Sequence, residues 1–236
     1  MKRSVLLAVY NEGPTVRAMI TGLHKELADS CEIVVVDDGS KDDTVSQIPL
    51  EICKLIKHEV NLGKGAAIKT GIENCTGDVI GFIDGDGQDD PKDLVEVFQK
   101  VEEGNDFVIG SRFIEGSESR YNDEAVQPIN EFGNKGLTRL INFLFEGRLT
   151  DTQASIKAIK KCHITKFNLI SERYEIETEI VIRSLCNNLK ISEVPVYRFK
   201  REHGISNLFD IPLGRLKFAM RALKIIGMGF FYWKQI

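Results

Sequence analysis

The first 110 residues alternate between two periodicities that belong to different kinds of element. Apolar runs at residues 4–9, 32–37, 53–58 (the weakest), 79–83 and 106–109 read as strands. Between them, apolar residues recur at helical spacing: Val16, Met19, Ile20, Leu23 and Leu27 in one stretch, Leu94, Val97, Phe98 and Val101 in another. Strand and helix in alternation imply an α/β fold, a mostly parallel sheet with helices on both faces. In such sheets ligands bind beyond the carboxyl ends of the strands. Three polar clusters fall at those ends: Tyr10-Asn11-Glu12, Asp37-Asp38-Gly39-Ser40 and Asp84 to Asp90. The alternation gathers them at one rim.

Residues 111–130 break the pattern with Gly116, Pro128 and many polar residues, and a loop that long inside a compact domain is usually functional or mobile. A helix follows with Leu137, Leu140, Ile141, Leu144 and Phe145 on one face, then a strand around 153–159, a helix near 175–187 and a strand near 190–198. The stretch 207–233 is helical in pattern, with Lys217, Arg221 and Lys224 opposite a broad apolar surface and Phe230-Phe231-Tyr232-Trp233 at its end. A basic amphipathic helix ending in aromatics suits the surface of an anionic membrane. The same pattern suits a helix packed on its own domain or at a dimer contact. The chain divides accordingly into 1–206 and an appended helix, 207–236.

At 236 residues the chain suits one α/β domain with a sizeable core. A net charge of −4 and a pI near 5.7 argue against a general nucleic-acid binder, although residues 198–224 are locally basic. Five cysteines form no CxxC pair, so neither a zinc site nor a disulfide framework is implied, and a reducing cytosol fits best. Lys2-Arg3 followed by Val5 to Val9 leads straight into Tyr10-Asn11-Glu12 and reads as a first strand rather than a signal peptide. No stretch reaches the roughly 20 apolar residues of a membrane span.

The cluster Asp84-Gly85-Asp86-Gly87-Gln88-Asp89-Asp90 carries the most chemistry. Side chains at i and i+2 of an extended chain point the same way, so Asp84 and Asp86 converge on one spot. Two like charges there call for a cation, and hard oxygen ligands select Mg2+ or Mn2+. An EF-hand loop starting at Asp84 fails, because it needs Gly at 89 and Glu at 95 where the chain has Asp and Val. The alternative is an acidic turn before a helix that starts at Asp90-Pro91.

Read in order, the motifs resemble the inverting family-2 glycosyltransferases, in particular the branch of dolichyl-phosphate mannose synthases and polyprenyl-phosphate glycosyltransferases. The pieces are Ala8 to Glu12, Val35 to Ser40, Asn61-Leu62-Gly63-Lys64-Gly65, Asp84 to Gln88, Gly110-Ser111-Arg112, Gly133-Asn134-Lys135, Asp151-Thr152-Gln153, Glu193-Val194-Pro195-Val196 and Arg201 to Ser206. The resemblance implies a GT-A fold that binds a nucleotide-sugar donor through Ala8, Tyr10, Glu12, Asp37, Asp38, Lys64 and Asp84. Lys64, beside a tight turn, reads on its own as an exposed lysine. Asp84, Asp86 and Gln88 match the metal cluster, leaving Asp89 and Asp90 to a turn and helix start. Arg112 matches a position for the acceptor phosphate, Arg201 one near the phosphates, and Asp151 the acid at the reaction centre.

The chain departs from the family at Ala8 (commonly Pro), at Asn130 and Glu131 (commonly Arg on the acceptor loop), at Ile156-Lys157 (commonly Phe-Arg) and at Asn207 (commonly Lys). These changes touch the acceptor side more than the donor side. The resemblance implies a cytoplasmic enzyme, peripheral at the cytoplasmic membrane face. It would move a sugar with inversion to a polyprenyl or dolichyl phosphate, directly at the bilayer or with a membrane partner. Two other readings are transfer to a sugar hydroxyl, with Asp151 as general base, and a nucleotide-sugar-binding module without catalysis.

Overall fold

The computed structural model of the protein describes residues 1–27, 30–114, 128–201 and 213–234. Seven strands form one sheet: β1 (Arg3–Val9), β2 (Cys31–Asp37), β3 (Lys54–Lys57), β4 (Val79–Phe82), β5 (Phe107–Ser111), β6 (Lys157–Lys160) and β7 (Ile191–Pro195). Their order across the sheet is β3-β2-β1-β4-β6-β5-β7. All pairings are parallel except those of β6, which runs antiparallel to both β4 and β5. The described helices are α1 (Gly13–Leu27), α2 (Thr44–Gln47), α3 (Lys64–Asn74), α4 (Asp93–Glu102), α5 (Pro128–Phe145), α6 (Lys161–Ile164), α7 (Ile176–Cys186) and α8 (Gly214–Met228). The expected α/β alternation is therefore present, with β6 starting at Lys157 rather than near residue 153.

The period-2 pattern of each inner strand separates two cores. Val5, Leu7 and Val9 of β1, with Ile33 and Val35 of β2, pack with Val16, Ile20 and Leu23 of α1 and Leu94, Val97 and Phe98 of α4. Leu6, Val34 and Val36 point the other way, into a core completed by α3, α5, α7 and α8. Each fully buried aliphatic or aromatic side chain in these layers contributes on the order of 1.5–3 kcal/mol. Both faces of the sheet are covered, as the near-continuous apolar strands require.

The reversal of β6 shapes the site. Lys157 pairs with Phe82 and Lys160 with Val79, so β6 begins where β4 ends. The segment leading into β6, which carries Asp151-Thr152-Gln153, thus arrives at the same rim that the parallel strands leave.

The C-terminal helix is apolar on two sides rather than one. Ala222, Ile225 and Ile226 are buried, the two isoleucines in the core shared with α7, and a π-helical turn (Gly229–Trp233) continues the contact. The Arg183 guanidinium stacks 3.8 Å from the Trp233 ring centroid, and Lys234 Nζ lies 2.9 Å from Glu146 Oε1. On the other side Leu216, Met220, Leu223, Phe230 and Phe231 are exposed. The expected helix start at 207 and most of the expected 111–130 loop fall outside the described residues. No helix among the described residues is long and apolar enough to cross a membrane.

Candidate active site

The donor side is built from two turns locked together. Asn11, at a left-handed φ of 55°, donates its backbone N–H to Ser40 Oγ at 2.8 Å, while the Lys41 N–H donates to Asn11 Oδ1 at 2.8 Å. The Glu12 N–H donates to Thr44 Oγ1 at 2.8 Å. Tyr10 and Glu12 are thereby fixed beside Asp37, the last residue of β2. Asp37 is only 2% exposed; its Oδ2 accepts the Ser40 N–H at 3.2 Å, and its Oδ1 has no hydrogen-bond partner. A buried carboxylate oxygen left without a donor is costly, and it fits a ligand hydroxyl or ring N–H. Ala8, one residue before the end of β1, packs on the core with its side chain.

Asp38 does something else. It accepts His58 Nδ1 at 2.8 Å and the N–H groups of Leu62 and Gly63 at 3.0 and 2.7 Å. Its carboxylate staples the loop before α3 instead of facing the rim with Asp37. Gly63 there has φ 107°, and a Cβ on it would lie 2.4 Å from the Glu172 carbonyl oxygen, so only glycine fits. The next residue, Lys64, is not the exposed lysine its neighbourhood suggests. Its Nζ lies 2.7 Å from Asp84 Oδ1 and 2.9 Å from Glu177 Oε1. Burial opposes the charge on Lys64, but the two carboxylates overcome it and raise its pKa above the ordinary lysine value.

The acidic cluster differs from the extended arrangement expected of it. The strand ends at Phe82, and the chain bends through 85–87 with Gly87 at φ 76°, while Asp86 Oδ1 accepts the Gln88 N–H at 3.0 Å. Asp84 and Asp86 consequently hold different cations of the chain. Asp84 holds Lys64, and Asp86 Oδ2 accepts Arg201 Nη2. Gln88 Oε1 accepts Arg198 Nη2 at 3.0 Å and Arg201 Nε at 3.3 Å. Among the described residues, no three acidic, histidine or cysteine side chains form a ready metal cage.

Asp89 is not a solvated turn residue. It is 3% exposed, hydrogen-bonded by Ser155 Oγ, and paired with Arg198 Nη1 at 2.6 Å. Asp90 keeps its expected place at a helix start, its Oδ1 accepting the Lys92 N–H at 3.0 Å.

The buried charges nearly balance. Glu12, Asp84, Asp86, Asp89 and Glu177 face Lys64, Lys157, Arg198 and Arg201. The surplus carboxylate shows in Glu12, whose pKa is pushed up to about 8, first by burial and then by Asp86, with Arg201 pulling the other way. Glu12 therefore carries a proton near neutral pH and the four cations match the four remaining carboxylates, while the hard oxygen donors of the rim are of the kind a divalent cation takes. Asp84, Asp86 and Gln88, the residues the sequence assigns to a metal, lie at this rim, each held by a cation of the chain: Lys64, Arg201 and Arg198 respectively.

On the acceptor side, Arg112 at the end of β5 grips Asp151 at two points, Nε to Oδ2 at 2.6 Å and Nη2 to Oδ1 at 2.9 Å. Asp151 is fully buried; burial alone would raise its pKa, but the Arg112 charge and hydrogen bonds, including the Gln153 N–H at 3.0 Å, hold it below the usual carboxylate range. Glu193 of β7 fixes the loop by accepting the N–H groups of Thr150 and Asp151 at 2.9 and 3.0 Å. The Phe113 ring carries two cations, with the Arg112 guanidinium carbon 5.3 Å and Lys135 Nζ 5.0 Å from its centroid. The two sides meet through Ser155, which follows the Asp151 loop and reaches Asp89. Lys157, one of the departures from the family pattern, is buried on β6 and paired with Glu177.

The family model for glycosyl transferase family 2 matches residues 4–172. The chain belongs to that family. It is 34% identical over 216 residues to an uncharacterized protein of Methanocaldococcus jannaschii, covering 89% of this chain and 86% of the relative. It is 29% identical over 235 residues to the UDP-N-acetylglucosamine–dolichyl-phosphate N-acetylglucosaminyltransferase of Methanococcus voltae, covering 89% and 90% of the two chains. In fold it is similar to glucosyl-3-phosphoglycerate synthase from Mycobacterium tuberculosis, solved with Mn2+, UDP-glucose and phosphoglyceric acid. The TM-score is 0.74 at 20% identity, over 96% of this chain and 80% of that one. The sheet and flanking helices of this glycosyltransferase are those of a GT-A fold.

Sequence reasoning missed Glu177, Arg198 and Ser155, which tie the rim together from α7, the segment after β7 and the loop before β6. Arg198 stands in the locally basic stretch 198–224, which does not mark it as a rim residue, and Ser155 stands in no run at all. Glu177 stands among Glu175 and Glu179 at the start of its helix, so no local pattern singles it out.

Proposed function

We propose that this family-2 glycosyltransferase moves a sugar, with inversion, from a nucleoside-diphosphate sugar to a polyprenyl or dolichyl phosphate. Tyr10, Glu12 and Asp37 hold the nucleoside, with Asp37 Oδ1 accepting a ribose hydroxyl or base N–H; Asp38 and Lys64 position the loop and Asp84 around it. Asp84, Asp86 and Gln88 would hold Mg2+ or Mn2+, which when bound would supply positive charge for the diphosphate leaving group. Arg201 lies beside them and serves the same phosphates.

The observation that carries the acceptor class is the saturation of Asp151. Both of its oxygens accept hydrogen bonds from Arg112, and its proton affinity is depressed, so it is a poor general base. A hydroxyl acceptor would need deprotonation, whereas a lipid phosphate is already an anion near neutral pH. What such a nucleophile needs is orientation by cations. Arg112, pinned by Asp151, and Lys135, across the Phe113 ring, supply them. Lys135, paired with Glu131 at 2.5 Å, is the cation that α5 offers in place of the arginine absent near Asn130 and Glu131. The Methanococcus voltae relative, whose name states a dolichyl-phosphate acceptor, supports the same reading.

The exposed stripe of α8, edged by Lys217, Arg221 and Lys224, lays the protein on the cytoplasmic face of an anionic membrane. The prenyl tail then stays in the bilayer during transfer. The test is incubation with Mg2+ or Mn2+, membranes and labelled UDP- and GDP-sugars. Label is expected in an acid-labile lipid fraction; label found only in water-soluble glycan would overturn the lipid-phosphate acceptor.

A further inference from the structure

The carboxylates that hold the cation in the reading above are already neutralised by the chain itself. Arg201 donates Nη2 to Asp86 Oδ2 and Nε to Gln88 Oε1 at 3.3 Å, and its Nη1 stands 3.9 Å from Glu12 Oε1. One guanidinium thus touches two of the three groups assigned to the metal and sits beside the surplus carboxylate. Its neighbour Arg198 is bound differently. Arg198 is tied to Asp89 at 2.6 Å, to Ser155 Oγ at 3.0 Å and to Gln88 at 3.0 Å, and only approaches Asp86, at 3.9 Å. Arg198 is built into the rim; Arg201, with a side chain 24% exposed against 12% for Arg198, is the cation able to leave.

Charge decides when it leaves. A divalent ion arriving alone would meet Arg201 at Asp86 and add two positive charges to a rim whose own cations already match its ionised carboxylates. A divalent ion arriving with a diphosphate, which carries about two negative charges in a nucleotide sugar and about three in a free nucleoside diphosphate, adds no net positive charge. The diphosphate also offers Arg201 a two-point partner in exchange for Asp86 and Gln88. We infer that Arg201 is a displaceable internal counter-ion whose release from Asp86 makes metal and nucleotide bind synergistically. This inference rests on the metal assignment of the proposed function and adds to it a residue that couples the two ligands.

The experiment measures Mn2+ binding by the paramagnetic resonance signal of the free ion, with and without UDP or GDP, for the wild type and for Arg201→Met and Arg201→Lys. Wild type should bind Mn2+ weakly alone and at least about tenfold more tightly with the preferred nucleoside diphosphate, within the usual range of coupling between sites. Arg201→Met should tighten Mn2+ binding in the absence of nucleotide by about tenfold and erase most of that coupling. Arg201→Lys, which keeps the charge, should stay near wild type, and a general structural defect would move both variants in the same direction. Unchanged Mn2+ affinity in Arg201→Met, or an equal shift in both variants, would overturn the inference while leaving the metal site standing. Wild type that binds Mn2+ neither alone nor with nucleotide would overturn the metal assignment as well.

Discussion

Arg112 and Asp151 form a two-point ion pair in which the carboxylate is fully buried and the guanidinium nearly so. Removing one partner strands a buried charge. Asp151→Ala should lower stability by about 3–5 kcal/mol, read from urea unfolding. Asp151→Asn keeps one acceptor for Arg112 and should slow turnover by about a hundredfold through misplacement of the arginine. Complete loss of turnover in a folded Asp151→Asn protein would point instead to a general base and a hydroxyl acceptor.

The same pair has a pH signature. The folded pKa of Asp151 lies below the unfolded value, so its stabilisation is present above the ordinary carboxylate range and is lost as pH falls through the folded pKa. Unfolding free energy measured from pH 6 down to pH 2 should fall less steeply in Asp151→Asn than in wild type. Parallel acid limbs would exclude Asp151 as a contributor.

Glu12 works in the opposite sense. Its folded pKa of about 8 lies above the unfolded value, so the folded state holds a proton that the unfolded chain has lost. Stability should therefore decline as pH rises from about 4.3, the free glutamate value, toward the folded pKa. In the metal-free protein, Glu12→Gln should remove that slope and be the more stable variant at pH 9, as read by thermal melting in a chelating buffer.

Lys157 and Glu177 are both buried, and Glu177 also anchors Lys64. Lys157→Met should cost about 3–5 kcal/mol, because it strands part of the charge on Glu177. The double change Lys157→Met with Glu177→Leu should recover most of that stability yet leave turnover low, since Lys64 loses one of its two partners. Full activity in the double variant would show that the Lys64 anchor is dispensable.

The two sides of α8 predict two different defects. Ile225→Ala, on the packed side, should destabilise the protein by about 2–4 kcal/mol without changing vesicle binding per folded molecule. Replacing Leu216, Met220 and Leu223 together by serine should leave the melting temperature within a few degrees and abolish flotation with anionic vesicles. Retained flotation, or a dimer in wild type that the triple variant dissolves, would assign the stripe to another partner.

Much of this was legible in the sequence because apolar periodicity and rim placement are local signals. The strands carrying Ala8 and Asp37, the strand that leads to Asp84, and helices α1 and α4 follow from spacing alone. What escaped depends on contacts between distant segments. The extended geometry assumed for Asp84 and Asp86 fails because Gly87 turns the chain, and no periodicity records that turn. Asp38 looks identical to Asp37 in a list of residues, yet one staples a loop and the other keeps an oxygen unpartnered. Asp89 was assigned to a turn because its partners, Ser155 and Arg198, lie 66 and 109 residues away in the chain. The broad apolar surface of the last helix split into two because packing, not composition, decides which side is covered.

The reversed strand β6 ties the two halves of the site to one another. The donor-side loops leave the ends of β1, β2 and β4, so any change in them is transmitted through the sheet those strands share. The acceptor loop enters at the head of a strand that its neighbours flank from both sides, and it is anchored by Glu193 from β7. Its ion-pair partner, Arg112, comes from the end of β5 rather than from the loop itself. Through Ser155 the same loop reaches Asp89, so a shift at Asp151 is felt both at Arg112 and at the acidic turn after β4.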